Sequence, residues 1–285
     1  MTATRGMRSV KLGLNMHPRW LSGGPARAFL SPLRELGVSV LEFRLDLLSP
    51  DWPETAALIE SCHQLGFGLS FHAPHGGDHT IAGFAGRKGR EIKERYAPAI
   101  DYVTGVAGRS GPTTIVVHGA KGRGSRHGLQ RDTGAFIMWL LEQSADLGVA
   151  LELRVRERGQ VKVGDSKAEL AELVSKLDSE RIGICWDLGH DARNGFDGVE
   201  RSFLSHVKHV HVHDVSPDGR DHCPLVFDNV PYRPCLQLLL RAGYDGSVIL
   251  EVDGHLVGAL ATNQGVTALH MLHQSFRKLV HLTHT

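Results

Sequence analysis

The chain has 285 residues, of which 41% are hydrophobic and 22% are charged, and its formal net charge is +1 at pH 7. This composition is typical of an ordinary soluble globular protein, and it argues against both a strongly basic nucleic-acid binder and an acidic disordered tail. With no run of 18 apolar residues and no signal-peptide-like start, we expect a cytoplasmic protein without a membrane span. The scattered cysteines, Cys62, Cys185, Cys223 and Cys235, favour a reducing compartment over a disulfide scaffold.

Short apolar runs alternate with longer amphipathic segments along the chain, which is the pattern of repeated βα units. Runs such as TIVVH and SVILEV are typical of parallel strands covered on both faces. The eight predicted strands are 10–16, 38–43, 68–72, 114–118, 149–153, 182–187, 207–213 and 248–252.

Helix signals lie between these strands. Pro25 and Pro53 stand where the first two helices would begin. Ser166 and Glu169 have the spacing of a capping box before an apolar stripe. Glycines stand where four helices would end, at Gly37, Gly66, Gly148 and Gly243.

Eight strands and about eight helices in roughly 250 residues predict a single-domain (β/α)8 TIM barrel over residues 1–285. A doubly wound α/β sheet is the alternative, but it would need a phosphate-binding loop. The nearest candidate, Gly122-Arg-Gly124, matches neither dinucleotide nor P-loop patterns.

Polar side chains follow the last six predicted strands, at the edge of the barrel where active sites of this fold lie. Burying so many of them at one mouth would be costly unless they paired or bound an ion. They are His72, His118, Glu152, Asp187 with His190, His211 with His213, and Glu251.

This donor set combines imidazole nitrogens and carboxylate oxygens without thiolates, and therefore predicts a divalent metal site. Mn²⁺ or Zn²⁺ fits it best, and Mg²⁺, Co²⁺ or Fe²⁺ is compatible. Asp187 and His190 can face one cavity, because the strand ends between them. His209, His211 and His213 share one strand face, so either of the last two can be the ligand.

Basic and aromatic residues near the predicted mouth allow two interpretations each. Lys121, Arg123 and Arg126 either bind a phosphate or keep a loop soluble. Arg154, Arg156 and Arg158 alternate after a strand, which favours a solvated edge. The aromatic residues in loops favour helix packing over a pocket wall; they are Trp20, Trp52, Phe84 and Phe227.

The order of the motifs HAP, VVH, LE, WDLGH, HxxD and LE resembles the xylose-isomerase-like TIM barrels. That superfamily includes sugar isomerases and epimerases, dehydratases and endonuclease IV. The resemblance implies metal binding by Glu152, Asp187, His211 and Glu251, with Asp214 completing the HxxD motif. It also implies that Glu152 and Glu251 act as the acid and base, and that His190 faces the substrate.

The implied reaction is chemically reasonable for these residues. A divalent ion that polarises a carbonyl and its neighbouring hydroxyl acidifies the carbon-bound proton. One carboxylate can remove that proton and another can return it. We therefore expect a metal-dependent isomerase, epimerase or related lyase that acts on a sugar, sugar phosphate or cyclitol. The expected substrate-binding residues are His190, His72, His118, His213 and Arg123.

Endonuclease IV is the alternative within the same resemblance. It implies that His72, His118, His190 and His222 also bind metal in a multinuclear zinc phosphodiesterase, with nucleic acid as the substrate. The chain departs from that pattern at Arg220, which occupies the place of an aspartate, and at CWDLGH. A homodimer is compatible with either function, and a membrane partner with neither.

Overall fold

The computed structural model describes residues 10–16, 26–45, 53–75 and 79–283. The strands are β1 (Lys11–Met16), β2 (Val38–Arg44), β3 (Gly68–His72), β4 (Thr113–Val117), β5 (Lys121–Gly122), β6 (Leu147–Glu152), β7 (Val161–Lys162), β8 (Ile182–Asp187), β9 (Val207–Val212) and β10 (Ser247–Leu250). The helices are α1 (Ala26–Glu35), α2 (Pro53–Gln64), α3 (Gly89–Ser110), α4 (Arg126–Gln143), α5 (Lys167–Leu177), α6 (Leu188–Arg193), α7 (Arg201–Leu204), α8 (Tyr232–Arg241), α9 (Gly254–Asn263) and α10 (Ala268–Thr283).

Eight of the described strands close into a parallel barrel in the order β1-β10-β9-β8-β6-β4-β3-β2, with helices in the connections. The predicted (β/α)8 TIM barrel is therefore confirmed, and each predicted strand agrees with an observed one to within two residues. No described helix combines the length and the apolar character that crossing a bilayer would require.

The main core lies between the barrel and its helices, where the Val, Ile and Leu side chains of the strands pack against the apolar faces of the helices. A second, small apolar cluster consists of Val116, Ala150 and Cys185. Ala150 and Cys185 lie two residues before Glu152 and Asp187, so the alternation of a strand places all four on the barrel interior. The polar site therefore lies next to a small apolar patch of the interior.

Several local details differ from the sequence-based expectations. Ser166 precedes α5 but makes no capping hydrogen bond with its side chain. The Glu169 carboxylate accepts from the Gly164 N–H (2.9 Å) and from Arg126 and not from the Ser166 N–H, so neither half of the capping box forms. Gly148 lies inside β6 and does not end a helix. α2 begins at Pro53 as expected, whereas Pro25 lies outside the described residues.

An antiparallel ribbon of β5 and β7, which the sequence patterns did not predict, joins the loops that follow β4 and β6. The Val163 N–H donates to the Ala120 carbonyl at 2.9 Å. At Gly119 the backbones approach so closely that a β-carbon would lie 2.4 Å from the Val163 oxygen. Glycine is required there because only a residue without a β-carbon fits.

We expect Gly119→Ala to destabilise the protein by about 1–3 kcal/mol, because the added methyl group must push the ribbon away from β4. Gly105→Ala is the matched control, since Gly105 lies in α3 with open space around its missing β-carbon. That control should gain about 0.5–1 kcal/mol from the helix propensity of alanine. Urea unfolding measures both, and equal stabilities of the two variants would contradict the tight ribbon.

Candidate active site

The strand ends bring the predicted polar residues to one end of the barrel. Parallel pairing sets Asp187 beside His211 and Glu152 beside Cys185, so the ends of neighbouring strands lie at similar heights. Of the predicted site residues, those that are buried are His72, Glu152, Asp187, His190, His211, His213 and Glu251. The side chains of His118 and His222 are 13% and 30% exposed.

Glu152 is the centre of one group of contacts. Its Oε2 lies 2.9 Å from Nε2 of His72 and 2.9 Å from Nε2 of His118. Its Oε1 lies 3.3 Å from Nδ1 of His190. Burial raises the pKa of the Glu152 carboxyl, but electrostatic and hydrogen-bond interactions with His118, His190 and His72 outweigh this effect and hold the pKa well below its usual range. Glu152 is therefore a buried carboxylate with imidazoles around both oxygens.

His72 and His190 are each oriented through the backbone. Nδ1 of His72 lies 2.9 Å from the Ala73 carbonyl oxygen, and Nδ1 of His190 lies 3.0 Å from the Leu153 carbonyl oxygen. A carbonyl only accepts, so Nδ1 of each ring carries a proton. Burial lowers the pKa of both imidazoles, but their carboxylate neighbours outweigh this effect and raise the pKa above its usual value. Metal-binding histidines are oriented in this way.

Asp187 stands where β8 becomes α6. Its Oδ1 accepts from the His190 backbone N–H at 2.8 Å, which caps the helix, and lies 3.1 Å from Nε2 of His213. Asp191 fixes the same helix from its outer side, where it accepts from Trp186 Nε1 (2.9 Å) and Lys167 Nζ (2.8 Å). These contacts hold α6 in place, and with it Asp187 and His190.

Asp214 organises the loop after β9. Its carboxylate accepts from four backbone N–H groups, those of Val215, Phe227, Asp228 and Asn229. The loop then returns antiparallel to itself at the Asp214–Cys223 bridge. This return brings His222 to the site, where its Nε2 lies 3.5 Å from Glu251 Oε2 and its Nδ1 lies 3.1 Å from Asp221 Oδ1.

The two candidate ligands at the end of β9, His211 and His213, have different neighbours. Nδ1 of His213 lies 2.9 Å from the His222 backbone nitrogen and 3.2 Å from the Asp214 carbonyl oxygen, and its Nε2 lies 3.1 Å from Asp187 Oδ1. His211 lies between Glu42 Oε1 (2.9 Å from Nε2) and Glu251 Oε2 (3.0 Å from Nδ1). Neither ring nitrogen of His211 nor Nε2 of His213 has a hydrogen-bond partner among the described residues, so either residue can bind an ion.

Glu42, in β2, was not identified from the sequence. It is 1% exposed, and its Oε2 accepts from Ser70 Oγ (3.2 Å) and lies 2.8 Å from His209 Nε2. Burial raises its pKa, but His211 and His209 hold it far below its usual range. A lone carboxylate within the apolar run VSVLEF was the available signal. The site thus continues into the barrel interior through Glu42 and His209.

The buried donor atoms fit a divalent ion. Several of them have no hydrogen-bond partner among the described residues: Asp187 Oδ2, both ring nitrogens of His211, His213 Nε2 and Glu251 Oε2. They lie near one another without hydrogen-bond geometry. One ligand atom from each of Asp187, His211 and Glu251 lies within 4.8 Å of the others. Hard oxygen and imidazole donors in such a group suit Zn²⁺ or Mn²⁺.

Two further groups of potential ligands share the mouth. One consists of His72, His75 and His118, and the other of Asp187, His190, His213 and His222, each with ligand atoms within 4.8 Å. His75 was not among the predicted residues, although His72 and His75 form an H-x-x-H pair in HAPH. Its ring centroid lies 4.7 Å from that of His72 and 4.2 Å from that of His118.

A cavity of about 340 Å³ lies over these residues and is lined by Glu152, Glu251, His118, His190, His222 and Arg154, among others. The expectation that Arg154 belongs to a solvated edge is wrong, because its side chain is partly buried in this lining. Arg123 is exposed and does not line this cavity, and Arg126 forms ion pairs with Asp165 and Glu169.

The aromatic residues named from the sequence divide into two groups. Phe84 packs against Phe136 and Trp139, with ring centroids 5.3 and 5.8 Å away, as the packing interpretation expects. Trp20 and Trp52 lie outside the described residues.

Burial and charge together set the protonation states around the cavity. Burial raises the pKa of Glu251, but His211 and His222 more than reverse this effect and hold it well below its usual range. Burial lowers the pKa of His118 well below its usual value. The mouth therefore combines carboxylates with at least one neutral imidazole, and a neutral imidazole is the form that binds metal ions.

Solved structures of similar fold extend over nearly the whole chain. A D-psicose 3-epimerase from Clostridium cellulolyticum H10, crystallised with D-tagatose, has a TM-score of 0.70 and 13% identity, with 96% of this chain and 99% of that chain covered. An L-ribulose 3-epimerase has a TM-score of 0.69 and 14% identity, with 96% and 94% covered. A 3-keto-D-glucoside 4-epimerase from E. coli has a TM-score of 0.65 and 15% identity, with 97% and 100% covered. At these identities the likeness shows the shared fold.

Two curated relatives match shorter stretches, and both are from Methanocaldococcus jannaschii. The uncharacterized protein MJ1311 is 28% identical over 116 residues, which are 39% of this chain and 40% of the relative. The uncharacterized protein MJ1188 is 25% identical over 142 residues, which are 49% of this chain and 52% of the relative. The chain thus aligns with about half the length of these relatives or less. The sequence model of the xylose isomerase-like TIM barrel matches residues 30–270, and the chain therefore belongs to this family.

Proposed function

We propose that this protein is a divalent-metal-dependent isomerase, epimerase or related lyase that acts on a polyhydroxylated carbonyl compound. The main observation is that two buried carboxylates from different strands, Glu152 and Glu251, line one cavity at the barrel mouth. The volume of about 340 Å³ is at the small end of the range for ligand pockets. The epimerase structures of similar fold support this choice of reaction class.

Glu152, Asp187, His211 and Glu251 are the residues that we propose to hold the metal. A bound divalent ion would polarise the carbonyl and the adjacent hydroxyl of the substrate and make the carbon-bound proton more acidic. Asp187 and His211 have fixed orientations, through the α6 N-terminus and Glu42 respectively. Fixed ligands of this kind lose little freedom when they bind.

Glu152 and Glu251 would exchange the proton with the substrate. Both are carboxylates at neutral pH, which is the form that accepts a proton. Each has two imidazoles next to its Oε2: His72 and His118 for Glu152, and His211 and His222 for Glu251. These imidazoles orient the carboxylates and can stabilise their charge while the substrate is bound.

A multinuclear zinc phosphodiesterase is the second candidate, and the two additional groups of ligands favour it. His72 and His118 meet at Glu152 Oε2, and His222 lies beside the Asp187–His190 pair. Arg220, which occupies the place of an aspartate, pairs with Asp218 at 2.9 Å, but Asp221 supplies a carboxylate to His222. Several ions close together would suit the hydrolysis of a phosphodiester.

We expect Glu152→Gln and Glu251→Gln each to lower proton exchange by about 10²–10⁴-fold, because an amide cannot accept the proton. The measurement is deuterium incorporation from D₂O into a panel of ketoses and cyclitols, with metal content determined in parallel. Glu157→Gln is the matched control, since Glu157 lines the same cavity but is half exposed and pairs with Lys162. Exchange at the wild-type rate in both site variants would exclude the proposed acid and base.

His72→Ala and His118→Ala distinguish the two candidate functions. For the isomerase, we expect one ion per chain in the wild type and in both variants. Exchange should fall by no more than about 100-fold, because Glu152 loses only an orienting partner. Inductively coupled plasma mass spectrometry counts the ions. The phosphodiesterase would be supported instead if the wild type holds two or three zinc ions. In that case each variant should lose one zinc ion and the ability to hydrolyse bis(p-nitrophenyl) phosphate.

Gly189→Ala tests the orientation of Asp187. A β-carbon at Gly189 would lie 2.0 Å from the His213 ring, which faces Asp187 Oδ1. Displacement of that ring removes a partner of the proposed ligand, so the Kd for Mn²⁺ or Zn²⁺ should rise by about 10–100-fold. Calorimetric titration of the chelator-treated protein measures this, with Gly105→Ala as the control. An unchanged Kd would show that His213 does not position the metal ligands.

A further inference from the structure

Arg154 differs from the other cationic residues that line the cavity. Lys162 pairs with Glu157, Arg193 pairs with Asp221, and Arg156 lies 3.4 Å from Asp197. Within the described ranges, by contrast, no hydrogen bond or ion pair involves the Arg154 guanidinium. Only its backbone is engaged, through donation to the Gly164 carbonyl (2.7 Å) and acceptance from Asn194 Nδ2 (2.9 Å).

The carboxylates of the site do not neutralise Arg154 by direct contact. Their nearest partners are imidazoles, as at Glu152, where His72, His118 and His190 face both oxygens. Burial lowers the pKa of Arg154 below its usual value, although nearby carboxylates oppose this effect. The Arg154 side chain is partly buried in the lining of the cavity, and its five N–H donors have no acceptor within the described part of the chain.

Arg154 also lines the small cavity beside β4 that His75, His118 and Lys121 line. Arg154 thus lines both cavities. A planar guanidinium binds the paired oxygens of a phosphate or carboxylate through two parallel hydrogen bonds. The unmatched donors and the location together indicate an anionic ligand.

We propose that Arg154 forms an anion-binding subsite of the cavity, and that the substrate carries a phosphate or carboxylate group apart from its reacting carbonyl. This inference rests on the proposed function for the location of the reacting carbonyl in the same cavity. It deepens that function by restricting the substrate class to sugar phosphates and sugar acids. Arg154 is then a specificity-determining residue and takes no part in proton transfer.

The test is calorimetric titration of the metal-loaded protein with inorganic phosphate and, separately, with acetate. We expect Arg154→Gln to weaken the binding of the preferred anion by about 10–100-fold, because charge-assisted hydrogen bonds are lost. Arg154→Lys should bind with intermediate affinity, since it keeps the charge without the paired donors. Arg158→Gln is the matched control, because Arg158 is exposed and lies outside the lining of the cavity.

The anion that loses affinity in Arg154→Gln identifies the group, phosphate or carboxylate. The inference is overturned if neither anion binds the wild type, or if both variants of Arg154 bind as the wild type does. If Arg154→Gln does not fold, Arg154→Lys alone decides the outcome. Deuterium exchange of the wild type is independent of these titrations. If the wild type binds an anion but shows no deuterium exchange, the proposed function is overturned and the subsite stands. If the wild type shows exchange but binds neither anion, the subsite is overturned and the proposed function stands.

Discussion

Glu152 keeps its negative charge inside a barrel because imidazoles face both of its oxygens. A carboxylate that is moved from water into a protein interior loses several kcal/mol of solvation, unless nearby donors replace the water. Three separate segments supply these imidazoles, at His72, His118 and His190. The position of this one charge therefore depends on the correct closure of a large part of the barrel.

Buried carboxylates deeper in the barrel also lie next to imidazoles. Glu251 and Glu42 flank His211, and Glu42 also contacts His209 and Ser70. Carboxylates and imidazoles thus alternate from the mouth into the barrel, where the apolar cluster around Ala150 begins. Such alternation reduces the repulsion between like charges, and it leaves a few donor atoms unmatched where an ion fits.

Much of the fold could be predicted because its signals are local. Runs such as TIVVH combine β propensity with full burial, and the polar residue at the end of each run marks the end of the barrel where the candidate site lies. Glu42 was missed because its partner His209 is 167 residues away, and nothing in VSVLEF indicates a partner. The β5–β7 ribbon was missed because strands of two residues have no periodicity. The predicted capping box between Ser166 and Glu169 does not form, since the Glu169 carboxylate accepts hydrogen bonds from Arg126 and from the Gly164 N–H. The alternation of the arginines after β6 did not indicate that Arg154 lines a cavity.

The barrel closes by pairing its first strand with its last, and this has a consequence for biosynthesis. β10 pairs with β1 through registers such as Leu12 with Val248, and Glu251 follows β10 directly. During translation the earlier ligands leave the ribosome well before Glu251 does, and long-range pairing of this kind is a late event in folding. The complete set of proposed ligands comes together only after the ring has closed. A nascent chain therefore has imidazoles and carboxylates that can bind ions loosely, whereas the finished barrel alone provides the full arrangement.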